Sequence, residues 1–177
     1  MLAWVRLSAR VECPAASFPA LSPFNAWVLL KSLETLPLRV DAMTANAARV
    51  ADGLAEHLGG PLARVTYPFR DDHPGAEIAR RQMSGGGTIV TIEFAGDGEQ
   101  AQSQAFRFLN ALELIDVSNN LGDAKSLATH PRTTTHSRLT EEARIMQGVT
   151  PGLVRVSVGL EDVSDLLADL DAALGAC

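Results

Sequence analysis

The sequence predicts an α+β domain, in which a long N-terminal helix precedes short strands that alternate with further helices. Apolar residues recur at spacings of three and four over residues 40–58, VDAMTANAARVADGLAEHL, which is the period of an amphipathic helix. The stretches TIVTIEF (88–94) and LVRVSV (153–158) place apolar residues at every second position, as half-buried strands do. Helices that cover one face of such a sheet form a two-layer sandwich.

The first part of the chain is predicted to be helical after an irregular tail. Residues 1–19 show no clean period, and we expect them to be an unstructured or non-homologous tail before a single domain at 20–177. Ser22-Pro23 is a typical helix start, because a hydroxyl caps the helix and Pro suits its first position. Pro37 should kink or break this helix. The amphipathic helix beyond it should end at Gly59-Gly60 and bury Val40, Met43, Ala47, Val50, Leu54 and Leu58.

Short strands and helices follow in alternation. We predict strands over residues 64–67, 88–94, 114–117, 126–129 and 153–158, of which three or four would form the sheet. Helices are expected after Pro74, over residues 99–112, between Thr140 and Gly148, and from Asp162 to the end of the chain. Thr140 and Asp162 are good helix caps, because their side-chain oxygens accept hydrogen bonds from the first free backbone N–H groups.

Composition excludes several classes of function. The chain carries a net charge of -6 without a basic block, which argues against a nucleic-acid or membrane-surface partner. No apolar run approaches the ~20 residues that span a bilayer. The two cysteines, Cys13 and Cys177, lie near the chain ends, so we expect unpaired thiols and a cytoplasmic protein.

Two motifs that could suggest a ligand site have simpler explanations. SGGG at residues 84–87 lacks the spacing of a phosphate-binding loop and precedes a strand rather than a helix, so a turn is the better interpretation. His130 and His136 lie six residues apart around a Pro, with no acidic or Cys ligand close by. We therefore expect hydrogen-bonded loop histidines and no metal.

Arg155 is the strongest candidate for a functional residue. It lies within the apolar strand LVRVSV, where a cation is costly unless an anion meets it. A guanidinium matches a carboxylate through two parallel hydrogen bonds. The carboxylate could belong to a structural Asp or Glu or to a substrate, and composition alone leaves these two alternatives equal.

Four stretches together resemble a known family. SPFNAWVLLKSLETLPLRV, RQMSGGGTIVTIEF, LIDVSNNLGDAKSLATHPRTTTH and GLVRVSVGLED resemble the C-terminal part of the Cys/Met-metabolism enzymes that depend on pyridoxal phosphate (PLP). Within that family the third stretch is most similar to O-succinylhomoserine sulfhydrylases. The resemblance implies the small C-terminal domain of a fold type I enzyme, similar to aspartate aminotransferase, that forms homotetramers.

The resemblance also implies roles for three residues. The Arg of the family's R-x-S-x-G-x-E-D strand binds the α-carboxylate of the amino-acid substrate, and that Arg matches Arg155. The residue before LGD assists it and is Asn120 here, whereas related lyases often have Ser. The backbone at Leu121 would also face the carboxylate. No catalytic residue, cofactor-binding residue or metal ligand is expected within this chain.

The activity that the resemblance implies is a γ-replacement that converts O-succinylhomoserine or O-acetylhomoserine into homocysteine, as in methionine biosynthesis. The alternatives are a cystathionine γ-synthase, a β- or γ-lyase, and a catalytically inactive truncated module. Family members hold PLP on a lysine of an S-x-T-K-Y-like segment, and neither Lys31 nor Lys125 matches that segment. The chain is therefore expected to be inactive alone.

Overall fold

The computed structural model describes residues 21–177, and the chain divides into two units between Leu36 and Pro37. The tail expected at residues 1–19 lies outside the described residues. Helix α1 spans Pro23–Glu34 and begins as predicted, because Ser22 Oγ accepts a hydrogen bond from the Asn25 N–H at 3.2 Å. None of the α1 side chains is buried.

Helix α2 spans Leu36–Ala55 and starts one residue after Thr35, where the helix breaks. The expected break at Pro37 therefore falls two residues earlier, and Pro37 lies in the first turn of α2, where its missing N–H costs no hydrogen bond. Helix α2 ends before Gly59, whose positive φ of 82° reverses the chain. The helix buries the middle of the predicted apolar stripe, namely Met43, Ala47, Val50 and Leu54, together with Ala51. Val40 and Leu58, at the two ends of that stripe, are exposed.

The remaining elements alternate as predicted. The strands are β1 (Leu62–Thr66), β2 (Ile89–Phe94), β3 (Asp116–Val117), β4 (Leu127–Thr129) and β5 (Leu153–Ser157). The helices are α3 (Ala76–Gln82), α4 (Gly98–Ala111), α5 (Glu141–Met146) and α6 (Val163–Leu174), with a 3-10 turn at Pro131–Thr133. The predicted caps are present, since Thr140 Oγ1 accepts from the Ala143 N–H and Asp162 Oδ1 accepts from the Ser164 N–H.

The strands form one sheet in the order β1-β2-β5-β4-β3. Neighbouring strands are antiparallel except for β3 and β4, which run parallel. The sheet thus has five strands, whereas three or four were expected from the sequence. Strands β3 and β4 lie where strands were predicted, but they have only two and three residues, which is too short for a period of two to show whether they join the sheet.

One face of the sheet packs on helices α2, α4 and α6 to form the core. Alternation in β5 sends Val154 and Val156 into this core, while Leu153 and Arg155 lie on the opposite face, as the sequence predicts. Phe108 of α4 is fully buried and meets Phe94 of β2 with ring centroids 5.4 Å apart. Within residues 21–177, none of the helices has both the length and the apolar character needed to cross a bilayer.

Candidate functional site

Arg155 lies in the middle of the sheet face that the helices leave uncovered. In the register of β5 its neighbours are Thr91 on β2 and Thr129 on β4. Its side chain is half-buried, and burial lowers the pKa of the guanidinium from its usual value. The strands therefore hold a cation in a sheltered position, which is costly unless an anion lies close to it.

Within the part of the chain that the structure describes, no structural ion pair compensates this cation. Across residues 21–177, no carboxylate oxygen lies within 4.0 Å of the guanidinium nitrogens of Arg155, although nine other pairs of a basic and an acidic side chain meet that distance. The described part of the chain thus removes the first of the two alternatives that the sequence left open. A guanidinium without a protein anion remains available for the carboxylate of a bound molecule.

The Arg155 side chain is instead oriented by the loop at residues 118–126, which we call the carboxylate loop. Arg155 Nη2 donates hydrogen bonds to the backbone carbonyl oxygens of Asn119 at 2.9 Å and Asn120 at 3.2 Å. Its Nε is buried without a hydrogen-bond partner among the residues described. Such a buried unsatisfied donor is uncommon in folded proteins. The loop thus fixes Nη2, and Nη1 and Nε make no hydrogen bond among residues 21–177.

The carboxylate loop brings the predicted residues together, although not all in the predicted way. Asn120 and Leu121 are exposed residues of this loop. Asn120 contacts Arg155 through its backbone carbonyl. The roles expected for the Asn120 side chain and the Leu121 backbone toward a carboxylate remain predictions.

Two residues that orient this site were missed by the sequence analysis. Asn119 supplies the shorter of the two carbonyl contacts to Arg155. Ser157, which is fully buried, accepts a hydrogen bond from the Gly122 N–H at 2.9 Å and so ties the carboxylate loop to β5. Ser157 lies two residues after Arg155 on the same face of the strand. A polar residue at that spacing within an apolar strand is the signal that could have identified it.

The histidines of the adjacent segment stabilise its structure. His130 is buried, its Nε2–H donates to the carbonyl oxygen of Pro151 at 2.8 Å, and its Nδ1 accepts from Thr133 Oγ1 at 2.9 Å. Burial lowers the pKa of His130, so the neutral imidazole is favoured. No cluster of metal-binding side chains occurs within residues 21–177. The expectation of a hydrogen-bonded loop histidine is confirmed at His130.

Comparison with known proteins assigns the family. The sequence profile of the Cys/Met metabolism PLP-dependent enzymes matches residues 7–175. This chain belongs to that family. It is 54% identical over 157 residues to the O-succinylhomoserine sulfhydrylase of Mycobacterium tuberculosis. This alignment covers 88% of this chain and 38% of the relative. It is 44% identical over 170 residues to the O-acetyl-L-homoserine sulfhydrylase of Leptospira meyeri, which covers 95% of this chain and 37% of that protein.

A solved structure shows the same architecture. The cystathionine gamma-lyase of Lactobacillus plantarum, crystallised with L-serine, superposes on 88% of this chain with a TM-score of 0.79 at 31% identity. The superposed region is 39% of the lyase chain. This chain therefore spans less than two-fifths of the length of the relatives that it matches. The fold and the family predicted from the sequence are both confirmed.

The residues present do not fit covalent attachment of the family's PLP cofactor. Lys31 lies on the exposed helix α1 and pairs with Glu34 at 3.1 Å. Lys125 is exposed and pairs with Asp116, and the hydrogen bond to that carboxylate raises the pKa of Lys125. A lysine that forms a Schiff base needs a lowered pKa, which burial or a neighbouring cation provides. Neither lysine therefore has the surroundings of a Schiff-base lysine.

Proposed function

We propose that this chain forms the substrate-carboxylate side of a PLP-dependent sulfhydrylase that converts an O-acylated homoserine into homocysteine, with O-succinylhomoserine as the expected substrate and O-acetylhomoserine as the alternative. The observation that carries the proposal is the half-buried guanidinium of Arg155 on the open face of the sheet, which has no acidic partner among residues 21–177. The identity to a sulfhydrylase over nearly the whole chain supports the choice of reaction.

In this proposal Arg155 binds the α-carboxylate of the amino acid and fixes its orientation. The carbonyl contacts from Asn119 and Asn120 hold Nη2, so the guanidinium loses little freedom when the carboxylate arrives. The Asn120 side chain would donate a further hydrogen bond, and the Leu121 backbone would border the carboxylate. A fixed carboxylate places the remaining bonds of the substrate in one orientation, which is how positioning lowers a reaction barrier. When bound, PLP supplies the electron sink for carbanion chemistry.

An exchange of protein segments tests this proposal. In the Mycobacterium tuberculosis sulfhydrylase, the segment that aligns with this chain is replaced by residues 21–177. The product is assayed for homocysteine formation from O-succinylhomoserine and sulfide. The unmodified relative is the control, and O-acetylhomoserine, cysteine as thiol donor and elimination without a thiol are measured beside it. A folded exchange protein that binds PLP and forms no homocysteine from either ester would refute the proposal.

A second candidate is a lyase of the same family, and the likeness to a cystathionine gamma-lyase supports it. The exchange protein separates the two, because a lyase releases its thiol or acyl group without a second substrate. Asn120 stands where related lyases often carry Ser, which favours the sulfhydrylase.

A third candidate is a catalytically inactive module, and the surroundings of the two lysines support it. Reduction of the 177-residue chain with borohydride in the presence of PLP tests this candidate. We expect no stoichiometric adduct on Lys31 or Lys125. An adduct on either lysine would contradict the candidate of an inactive module.

We also propose that the protein works in the cytoplasm as part of a homotetramer, as the family resemblance implies. Size measurement of the exchange protein by light scattering tests the assembly, and a monomeric active enzyme would contradict it.

A further inference from the structure

The carboxylate loop is held almost entirely by polar contacts. Its residues 119–125 are all exposed, including Leu121 at 59%, so no buried apolar side chain fixes their conformation. The two carbonyl oxygens that meet Arg155 belong to this exposed segment. The orientation of Arg155 therefore depends on whatever anchors the loop to the rest of the domain.

Ser126 at the end of the loop is its main anchor, and Glu161 holds it. One carboxylate oxygen of Glu161 accepts the Ser126 N–H at 2.6 Å, and the other accepts the Ser126 Oγ–H at 2.8 Å. Ser126 is fully buried. Two hydrogen bonds to one carboxylate from a single residue fix both its backbone and its side chain, and bonds to an ionised acceptor are the stronger kind.

The turn that carries Glu161 is fixed in the same way. Ser126 Oγ accepts the Gly159 N–H at 2.8 Å, and the Leu160 N–H donates to the Ala124 carbonyl oxygen at 2.8 Å. The approach is so close that a Cβ on Gly159 would lie 2.4 Å from both the Ala124 oxygen and Glu161 Oε2. Only glycine leaves room for these contacts.

Helix α2 completes the arrangement. Asn46 Nδ2 donates to the carbonyl oxygens of Gly159 at 3.1 Å and Glu161 at 2.9 Å. Because α2 is packed in the core, the turn at residues 159–161 has a rigid support. Glu161 thus lies between a fixed helix and an exposed loop.

We propose that Glu161 is a positioning residue, which acts through Ser126 to hold the carboxylate loop so that the Asn119 and Asn120 carbonyls orient Arg155. The inference rests on the proposed function for its consequence, since an oriented Arg155 matters for binding a carboxylate. The contacts by which Glu161 holds the loop are the same whichever ester is the substrate.

The test uses the 177-residue chain and reads Arg155 directly. The buried Nε–H of Arg155 has no hydrogen-bond partner among residues 21–177, so loop opening changes its NMR signal and exposes it to solvent exchange. Glu161→Gln keeps the size of the side chain and removes its charge. We expect the Arg155 Nε–H signal to shift and its hydrogen exchange, with that of the Gly122 N–H, to accelerate by about tenfold or more.

Asp171→Asn is the matched control, because it also removes one carboxylate charge. Asp171 lies on α6 and pairs at 2.9 Å with His57, which follows the end of α2. Loss of the Asp171 charge should therefore leave Arg155 and the loop unchanged. Unchanged Arg155 Nε–H exchange in folded Glu161→Gln would overturn the proposal, as would equal effects in both variants. If Glu161→Gln does not fold, Ser126→Ala removes only the hydroxyl contacts and gives the same two outcomes.

These readouts separate this inference from the proposed function. If the exchange protein is inactive but the Arg155 signal of the 177-residue chain responds to Glu161→Gln, the reaction is refuted and the positioning role stands. If the exchange protein is active and Glu161→Gln leaves the Arg155 signal unchanged, the positioning role is refuted and the reaction stands.

Discussion

Replacement of Arg155 by lysine is the decisive perturbation of the proposed site. Lysine keeps the positive charge but replaces a planar fork of five N–H donors by a compact ammonium with three. In the native chain Nη2 already donates to the Asn119 and Asn120 carbonyls. An ammonium that keeps these two contacts has one donor left and cannot form paired bonds to a carboxylate. We therefore expect Arg155→Lys to recover little of the native function.

The size of the expected fall in kcat/KM follows from the loss of a sheltered ion pair between Arg155 and the substrate carboxylate. Truncating one partner of a buried, hydrogen-bonded charge pair costs ~2–5 kcal/mol. At a factor of ten per ~1.4 kcal/mol, this is roughly a 30- to 5000-fold fall in kcat/KM. The half-buried position of Arg155 places the expected fall within that range rather than above it.

The assay measures kcat/KM and the thermal midpoint Tm of the exchange protein described above, with and without Arg155→Lys. Arg144→Lys is the matched control, because Arg144 donates to the carbonyl oxygens of His136 at 3.0 Å and Ser137 at 2.9 Å and also pairs with Glu141. Loss of these structural contacts should lower Tm and leave the turnover of the folded fraction near normal.

The same pattern at Arg155 would refute the proposed role of this residue. A folded Arg155→Lys protein with nearly native kcat/KM and a lowered Tm would make Arg155 a structural residue, as Arg144 is expected to be. The proposed carboxylate site would then have no cation on this face of the sheet.

Three further predictions test the site and its support. Asn120→Ala keeps the backbone contact to Arg155, so a fall of about tenfold in kcat/KM is expected if its side chain donates to the carboxylate, and no fall would limit its role to the backbone. Gly159→Ala should lower the free energy of unfolding by ~1–3 kcal/mol through the overlap at 2.4 Å, whereas Gly98→Ala, with open space around its Cβ, should not. Burial lowers the pKa of His130, so near pH 6 the unfolded chain binds more protons at this residue than the folded chain does. The contribution of His130 to stability should therefore be full above the unfolded pKa of about 6.5 and should fall as the pH drops toward the folded pKa. His130→Asn should reduce that slope of Tm against pH, and an unchanged slope would show that His130 does not contribute.

Much of the fold was predictable because its helices and longer strands have clear periods. The apolar stripe of α2 and the apolar alternation of β2 and β5 are visible in the sequence, because the position of a residue along a helix or strand decides which face its side chain lies on. The break before α2 was placed two residues late, because proline is tolerated in the first turn of a helix. The short strands β3 and β4 were expected from the sequence, but their place in one five-stranded sheet depends on the pairing of residues 127–129 with residues 155–157, which no local pattern records.

The main residue of the site, Arg155, was predictable from the sequence, but the residues that orient it were not. Arg155 was found because a cation within an apolar strand is unusual, whatever the fold. The carbonyl of Asn119, the hydroxyl of Ser157 and the carboxylate of Glu161 act through contacts between residues about 35 positions apart. Backbone carbonyls carry no side-chain signature, so a sequence cannot show which of them will face a guanidinium.

The sequence by itself determined the family, the order of the elements and the candidate cation, because motifs, periods and residue types are local properties of the chain. Only the tertiary structure decided that Arg155 has no acidic partner among residues 21–177. Any of several carboxylates could have paired with it, and the distances are set by how the sheet and the loops pack. The same packing turned Glu161 toward Ser126, and it left the Arg155 guanidinium facing an exposed loop held by its backbone.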